Sequence, residues 1–96
     1  MKKALANVSL QVSFLKEGKR YVAYSPALDL STSGKTFDEA RNRFEEASVL
    51  FLEELHKAGT TENVLKSLGW QKKQPRSWTP PIIVSQETQT LHVPVA

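Results

Sequence analysis

An α+β fold is predicted for this chain, with the element order β-β-β-α-α-β: a three-stranded antiparallel meander plus C-terminal strand(s), packed on one long and one short helix. Three observations carry the prediction. Val8, Leu10, Val12 and Phe14 alternate with Ser9, Gln11 and Ser13, the period of two of a half-buried strand. Phe37, Ala40, Phe44, Ala47, Phe51 and Leu55 recur at three- and four-residue spacing, the stripe of a helix lying on a core. Alternation then resumes at Leu91, Val93 and Val95 near the C-terminus. Strands followed by helices argue α+β rather than a wound parallel sheet.

After the first strand, Lys16 to Lys19 is a turn, with Gly18 the residue best able to take a positive φ. Arg20 to Ser25, rich in Tyr and Val, is the return strand. Pro26 ends regular pairing because it has no N–H to donate. Leu28 to Ser33 reads as the third strand, closed by Gly34. Thr36-Phe37-Asp38-Glu39 is a capping box: the Thr36 hydroxyl can accept from the Glu39 amide, and the Glu39 carboxylate can reach back to the Thr36 amide. Gly59 stops this helix, and Glu39–Arg43 and Glu53–Lys57 are candidate ion pairs on its wet side. Val49-Leu50-Phe51-Leu52 is apolar beyond one stripe, which calls for a second contact with the next helix or another subunit. Thr61 caps a short helix through Leu68, with Val64, Leu65 and Leu68 inward and Gly69 ending it. Gln71 to Thr79 has no periodicity and reads as a linker; Ile82 to Val84 and Leu91 to Val95 read as strands, the last confined to an edge by Pro94. The division is therefore 1–70 for the α/β core and 71–96 for a Pro-rich linker and C-terminal β-strand segment of the same domain.

Ninety-six residues make one domain. Hydrophobic residues at 40% and charged residues at 24% are ordinary for a globular chain, and no apolar run approaches the roughly 20 residues of a bilayer span. Met1-Lys2-Lys3 carries the charge of a signal peptide, but Asn7, Ser9 and Gln11 break up the apolar core such a peptide needs, so the expectation is a cytoplasmic protein without a membrane role. The chain has no cysteine, which excludes disulfides, thiolate catalysis and thiolate-bound zinc. The net charge of +3 permits phosphate contact without requiring it.

The stretch from Tyr21 to Ala47 carries a resemblance. Tyr21, Ala23, Pro26, Leu28 and Asp29, then Gly34, Lys35, Thr36, Glu39 and Ala40, then Glu46 and Ala47, stand at the spacing of the HicB-like antitoxins. The likeness runs over roughly residues 5 to 70. It implies a partially degraded ribonuclease-H-like fold. It also implies a role in a type II toxin-antitoxin system: binding a small, basic, dsRNA-binding-like toxin, HicA, which cleaves messenger RNA with a histidine, and masking it sterically. Such a role needs no catalytic residue and no cofactor. It does need acids facing a basic partner, and Glu45, Glu46 and Glu53 on the long helix are the candidate toxin interface.

The residues themselves offer no catalytic constellation. A ribonuclease-H-type nuclease needs carboxylates converging on two metal ions, one of them on the first strand, where this chain has Ser9, Gln11 and Ser13. Gly34-Lys35-Thr36 is not a phosphate loop, because position 29 is Asp29 where that motif needs glycine. His56 lies near a helix C-terminus, where the dipole favours a cation, and His92 alternates out of phase with its apolar neighbours; neither has partners at metal-ligand spacing. Asp29 reads as capping or kinking the turn after Pro26, with an exposed acid that pairs with a basic partner as the alternative. No enzyme activity, metal or cofactor is expected.

The tail admits two further roles. Lys72, Lys73 and Arg76 between Trp70 and Trp78 form a basic segment with aromatic interleaving, a candidate nucleic-acid contact; the alternative is a solvated linker whose tryptophans cover the core edge. The helix-turn-helix or ribbon-helix-helix that HicB-like antitoxins often carry is missing after Gly69, which leaves DNA binding open. The segment Ile82 to Val95 can pair with a sheet edge of a second subunit, which together with Val49 to Leu52 motivates a homodimer or higher oligomer, or can fold back on its own sheet. An orphan oligomeric module without a toxin is the rival to the antitoxin reading.

Overall fold

The computed structural model describes residues 8–75 and 77–95. It is α+β, in the expected order: β1 (Ser13–Glu17), β2 (Arg20–Ser25), β3 (Leu30–Gly34), α1 (Phe37–Ala58), α2 (Thr61–Ser67), β4 (Gln71–Gln74) and β5 (Ser77–Thr79). β1, β2 and β3 form an antiparallel meander in that spatial order, and β4 and β5 form a separate two-stranded sheet.

The first hairpin turns on two residues, Gly18 and Lys19, between the paired Glu17 and Arg20. Gly18 has φ +60 and Lys19 does not share the positive φ, the pattern of a type II′ turn that matches strand twist. Pairing stops at Ser13↔Tyr24. The sequence places the strand over Val8 to Phe14, but one step further along β2 lies Ser25 and then Pro26, so residues upstream of Ser13 have no ladder partner. Their apolar phase survives without the strand: Leu10 packs against both core clusters and Val12 against one.

β3 begins at Leu30 rather than Leu28. Asp29 adopts φ +49, a left-handed conformation that breaks the ladder, and Ala27 and Leu28 drop from the turn into the core. The Ser25 hydroxyl, fully buried, accepts from the Ala27 amide at 3.3 Å and closes that turn.

α1 runs 22 residues with Thr36 as N-cap and Gly59 as a left-handed C-cap at φ +70. The Glu39 amide donates to Thr36 Oγ1 at 3.0 Å, half of the expected capping box. The other half differs: the Glu39 carboxylate accepts from the Lys35 amide and pairs with Arg43 at 3.0 Å. Thr36→Ala is expected to cost about 1 kcal/mol, read as a lower urea midpoint with an unchanged slope. Lys57 pairs with Glu54 at 3.8 Å instead of Glu53, since residues three apart are as close on a helix as residues four apart. α2 is capped by Thr60, not Thr61, without a side-chain cap bond, and ends at Ser67 with Leu68 as C-cap.

Two clusters make the core, with Leu10 and Leu30 packing against both. One is Ala23, Ala40 and Phe44, where β2 meets α1. The other is Ala27, Leu28, Leu65 and Trp70, with Phe51, Leu52 and Leu55 of α1 against it. Trp70 is buried and its Nε1–H donates to the Ala27 carbonyl at 2.7 Å, tying the chain after α2 to the turn before β3. Phe37, expected on the core stripe, lies at its open end, 4.6 Å centroid to centroid from Phe14.

The region expected as a linker is the β4–β5 hairpin. All four residues of β4 are exposed, so no apolar alternation marks it in the sequence. The strands expected over Ile82 to Val84 and Leu91 to Val95 do not form: residues 80–95 have no regular secondary structure and pair with no strand among the described residues, although the outer edge of β1 is open.

Candidate functional site

Of the residues that carry the family resemblance, Ala23, Gly34, Thr36, Glu39 and Ala40 lie at the seam between the sheet and the start of α1. Ala23 and Ala40 are fully buried against each other's elements, and Leu28 is buried in the second cluster. A methyl group on Gly34 would lie 2.7 Å from the Ala40 amide nitrogen and 2.9 Å from Glu39 Cβ, so only glycine lets β3 pass this close to the helix. Gly34→Ala must push the helix start away and is expected to cost about 1–3 kcal/mol, checked by thermal unfolding beside Thr36→Ala. Asp29 accepts from the Tyr24 hydroxyl at 3.0 Å, and that bond holds the Tyr24 phenol above its ordinary pKa. Pro26 is exposed, and Tyr21 is half-buried, with Lys16 Nζ 5.7 Å from its ring centre. These residues position backbone; they do not assemble a reactive centre.

The exposed face of α1 is different. Val49 and Leu50 stand 50% and 56% exposed in mid-helix. Helical spacing places Glu45, Val49 and Glu53 in one row and Glu46, Leu50 and Glu53 in the next, so acids border the apolar pair at both ends. The other acids of the helix are engaged: Asp38 with Arg41, Glu39 with Arg43 and Glu54 with Lys57. Among the described residues Glu45, Glu46 and Glu53 make no ion pair. Glu45 and Glu46 line one shallow depression with Asn42, Val49 and Leu50. The Val49–Leu52 run is thereby divided: Phe51 and Leu52 turn to the core and α2, while Val49 and Leu50 are left to solvent.

Beside this face is a groove of about 430 Å³ between the segment Val8–Phe14 and α1, with Phe44, Val49 and Leu52 on its helix wall. The Ser48 hydroxyl lies in it, buried and without a hydrogen-bond partner among the described residues. Sequence reasoning missed Ser48, because a serine between two apolar residues of a helix looks like a solvated position.

Of the basic segment, Lys72 is paired. Glu62 accepts from Lys66 at 3.0 Å and from Lys72 at 3.1 Å, and these two bonds, Lys66 first, hold its carboxyl below the usual range. Lys72 Nζ also lies 5.7 Å from the centre of the Trp78 ring, which packs against the core. Trp70 is a core residue. Lys73 is exposed, and Arg76 lies outside the described residues. The described part of the segment therefore presents one unengaged cation rather than a stripe.

His56 is in the last turn of α1 and His92 is exposed in the tail. No group of three or more histidines and carboxylates is close enough to hold a metal ion among the described residues. Among them, too, no helix is long and apolar enough to cross a membrane. No protein-family model, curated protein or solved structure matches the chain.

Proposed function

We propose that this chain is an antitoxin of the HicB-like kind, cytoplasmic, that binds a small basic HicA-type messenger-RNA-cleaving toxin and neutralises it by covering its active site. The observation that carries the reading is the α1 face: two exposed aliphatic side chains, Val49 and Leu50, bordered by the three acids of the helix that no described cation of the chain engages. A toxin that grips RNA must present cations around its active site. Glu45, Glu46 and Glu53 offer those cations carboxylates that need not first break an internal ion pair.

The apolar pair supplies what charge alone does not. Burying the exposed halves of Val49 and Leu50 contributes on the order of 1–2 kcal/mol each. The surrounding acids steer the encounter and reject acidic surfaces, an effect that weakens with salt. Masking by docking asks nothing else of the antitoxin: no proton transfer, no metal, no nucleophile.

The experiment is growth of cells expressing the small protein encoded beside this gene, with and without this chain, together with co-purification of the two. Growth arrest that this chain relieves, with a stable complex, establishes the role. A neighbour that is not toxic, or arrest that this chain does not relieve, refutes it. In that case the orphan module is the reading to pursue.

A further inference from the structure

Residues 80–95 concentrate exposed apolar side chains. Of the eleven large hydrophobic side chains that stand exposed among the described residues, five are here: Ile82, Val84, Leu91, Val93 and Val95, at 65 to 88% exposure. Glu87 is the only formally charged residue of the segment. Leu91, Val93 and Val95 alternate as a strand with one apolar face, yet pair with nothing. The molecule is correspondingly drawn out: its radius of gyration is 16.3 Å and its longest extent 57 Å, whereas a compact chain of this length has a radius of gyration of about 12–13 Å.

The start of the segment shows which surface it fits. β1 is an edge strand, paired to β2 on one side and open on the other. The Ile83 amide donates to the Gln11 side-chain carbonyl, and Gln86 Nε2 donates to Ser13 Oγ at 3.1 Å. Between them the two stretches face each other across a cleft lined by Gln11–Leu15 and Ile83–Gln86, without backbone pairing. Within one chain that edge cannot satisfy the rest of the segment. The contacts run parallel, and the offset that sets Gln86 beside Ser13 sets Thr90 beside Glu17, where β1 ends. Leu91, Val93 and Val95 fall beyond the end of the sheet.

We propose that the segment from Leu91 to Val95 of one copy pairs as a fourth strand along the five-residue β1 edge of a second copy, and that the exchange is reciprocal. Pro94 sets the register. It has no amide hydrogen, so Pro94, His92 and Thr90 turn their backbone outward while Leu91, Val93 and Val95 bond to β1. Both the strand and the open edge belong to the same chain, so a reciprocal exchange leaves neither unpaired. Leu91, Val93 and Val95, at about 100 Å² each, make about 300 Å² per segment. Two segments and the surfaces that receive them then bury about 1,200 Å² in total, the lower end of the range for a stable interface. The inference is independent of the antitoxin reading.

Sedimentation of the full chain at tens of micromolar tests it. The expected result is a dimer, converted to monomer by the double variant L91D/V93D and equally by deletion of residues 90–96, with the urea midpoint of the monomeric body unchanged in both. These positions are exposed within one chain, so the substitutions leave its core intact. A wild-type chain that sediments as a monomer, or a dimer that survives both changes, overturns the proposal.

Discussion

Trp70→Ala is expected to lower the unfolding free energy by about 3–5 kcal/mol, the range for removing a large buried aromatic side chain. Against a total of about 5–15 kcal/mol for a domain, and the lower part of that range for a chain this short, the variant sits close to unfolded at 37 °C. Two losses combine. The indole leaves a hole among Ala27, Leu28 and Leu65, the heart of one cluster. The Ala27 carbonyl loses its 2.7 Å donor while remaining buried. Trp70→Phe keeps the six-membered ring and removes the donor with the rest of the indole, so it should cost about 1–3 kcal/mol. Urea unfolding followed by circular dichroism reads both. Equal costs for the two variants would mean that the hydrogen bond, and not the packing, anchors this end of the core.

On the antitoxin reading proposed above, reversing the charge at Glu45, Glu46 and Glu53 together is expected to weaken toxin binding roughly 100-fold or more, since like charges brought together across an interface cost several kcal/mol and 1.4 kcal/mol is tenfold. The three side chains form no ion pair within the described chain, so their reversal breaks no internal bridge and the urea midpoint should move little. Glu17→Lys, at the far end of the first hairpin, is the matched control and should leave binding near the wild-type value. Added salt should weaken the wild-type complex and spare what remains of the triple variant. Binding that is indifferent to the triple reversal but lost in Leu50→Asp would move the interface onto the apolar pair alone.

Signals that act within one turn of chain were legible in the residues. Thr36 with Glu39 three residues on marks the start of α1, and Gly59 its end, because caps are satisfied locally. Gly18 marks the hairpin for the same reason. What depends on a distant partner was not legible. The apolar alternation from Val8 to Phe14 promised a strand, but pairing is limited by Pro26 on the neighbour. The same alternation at Leu91 to Val95 finds no neighbour within the chain. β4 is exposed along its whole length and so leaves no periodic trace. On α1 the acids could be named in advance, but which of them are already paired depends on rotamers: Lys57 reaches Glu54, and so Glu53 is left over.

The bond from Trp70 to Ala27 joins residues 43 positions apart. A chain is synthesised from its N-terminus, so the meander and α1 leave the ribosome while Trp70 is still inside it. Until Trp70 emerges, the turn before β3 has a carbonyl without its donor, and Leu28 lacks the ring that covers it. A nascent or prematurely ended chain that stops short of residue 70 thus has every strand of the meander and still lacks a closed core, which exposes it to cellular proteases. Closure of this core is in this way tied to the emergence of residue 70.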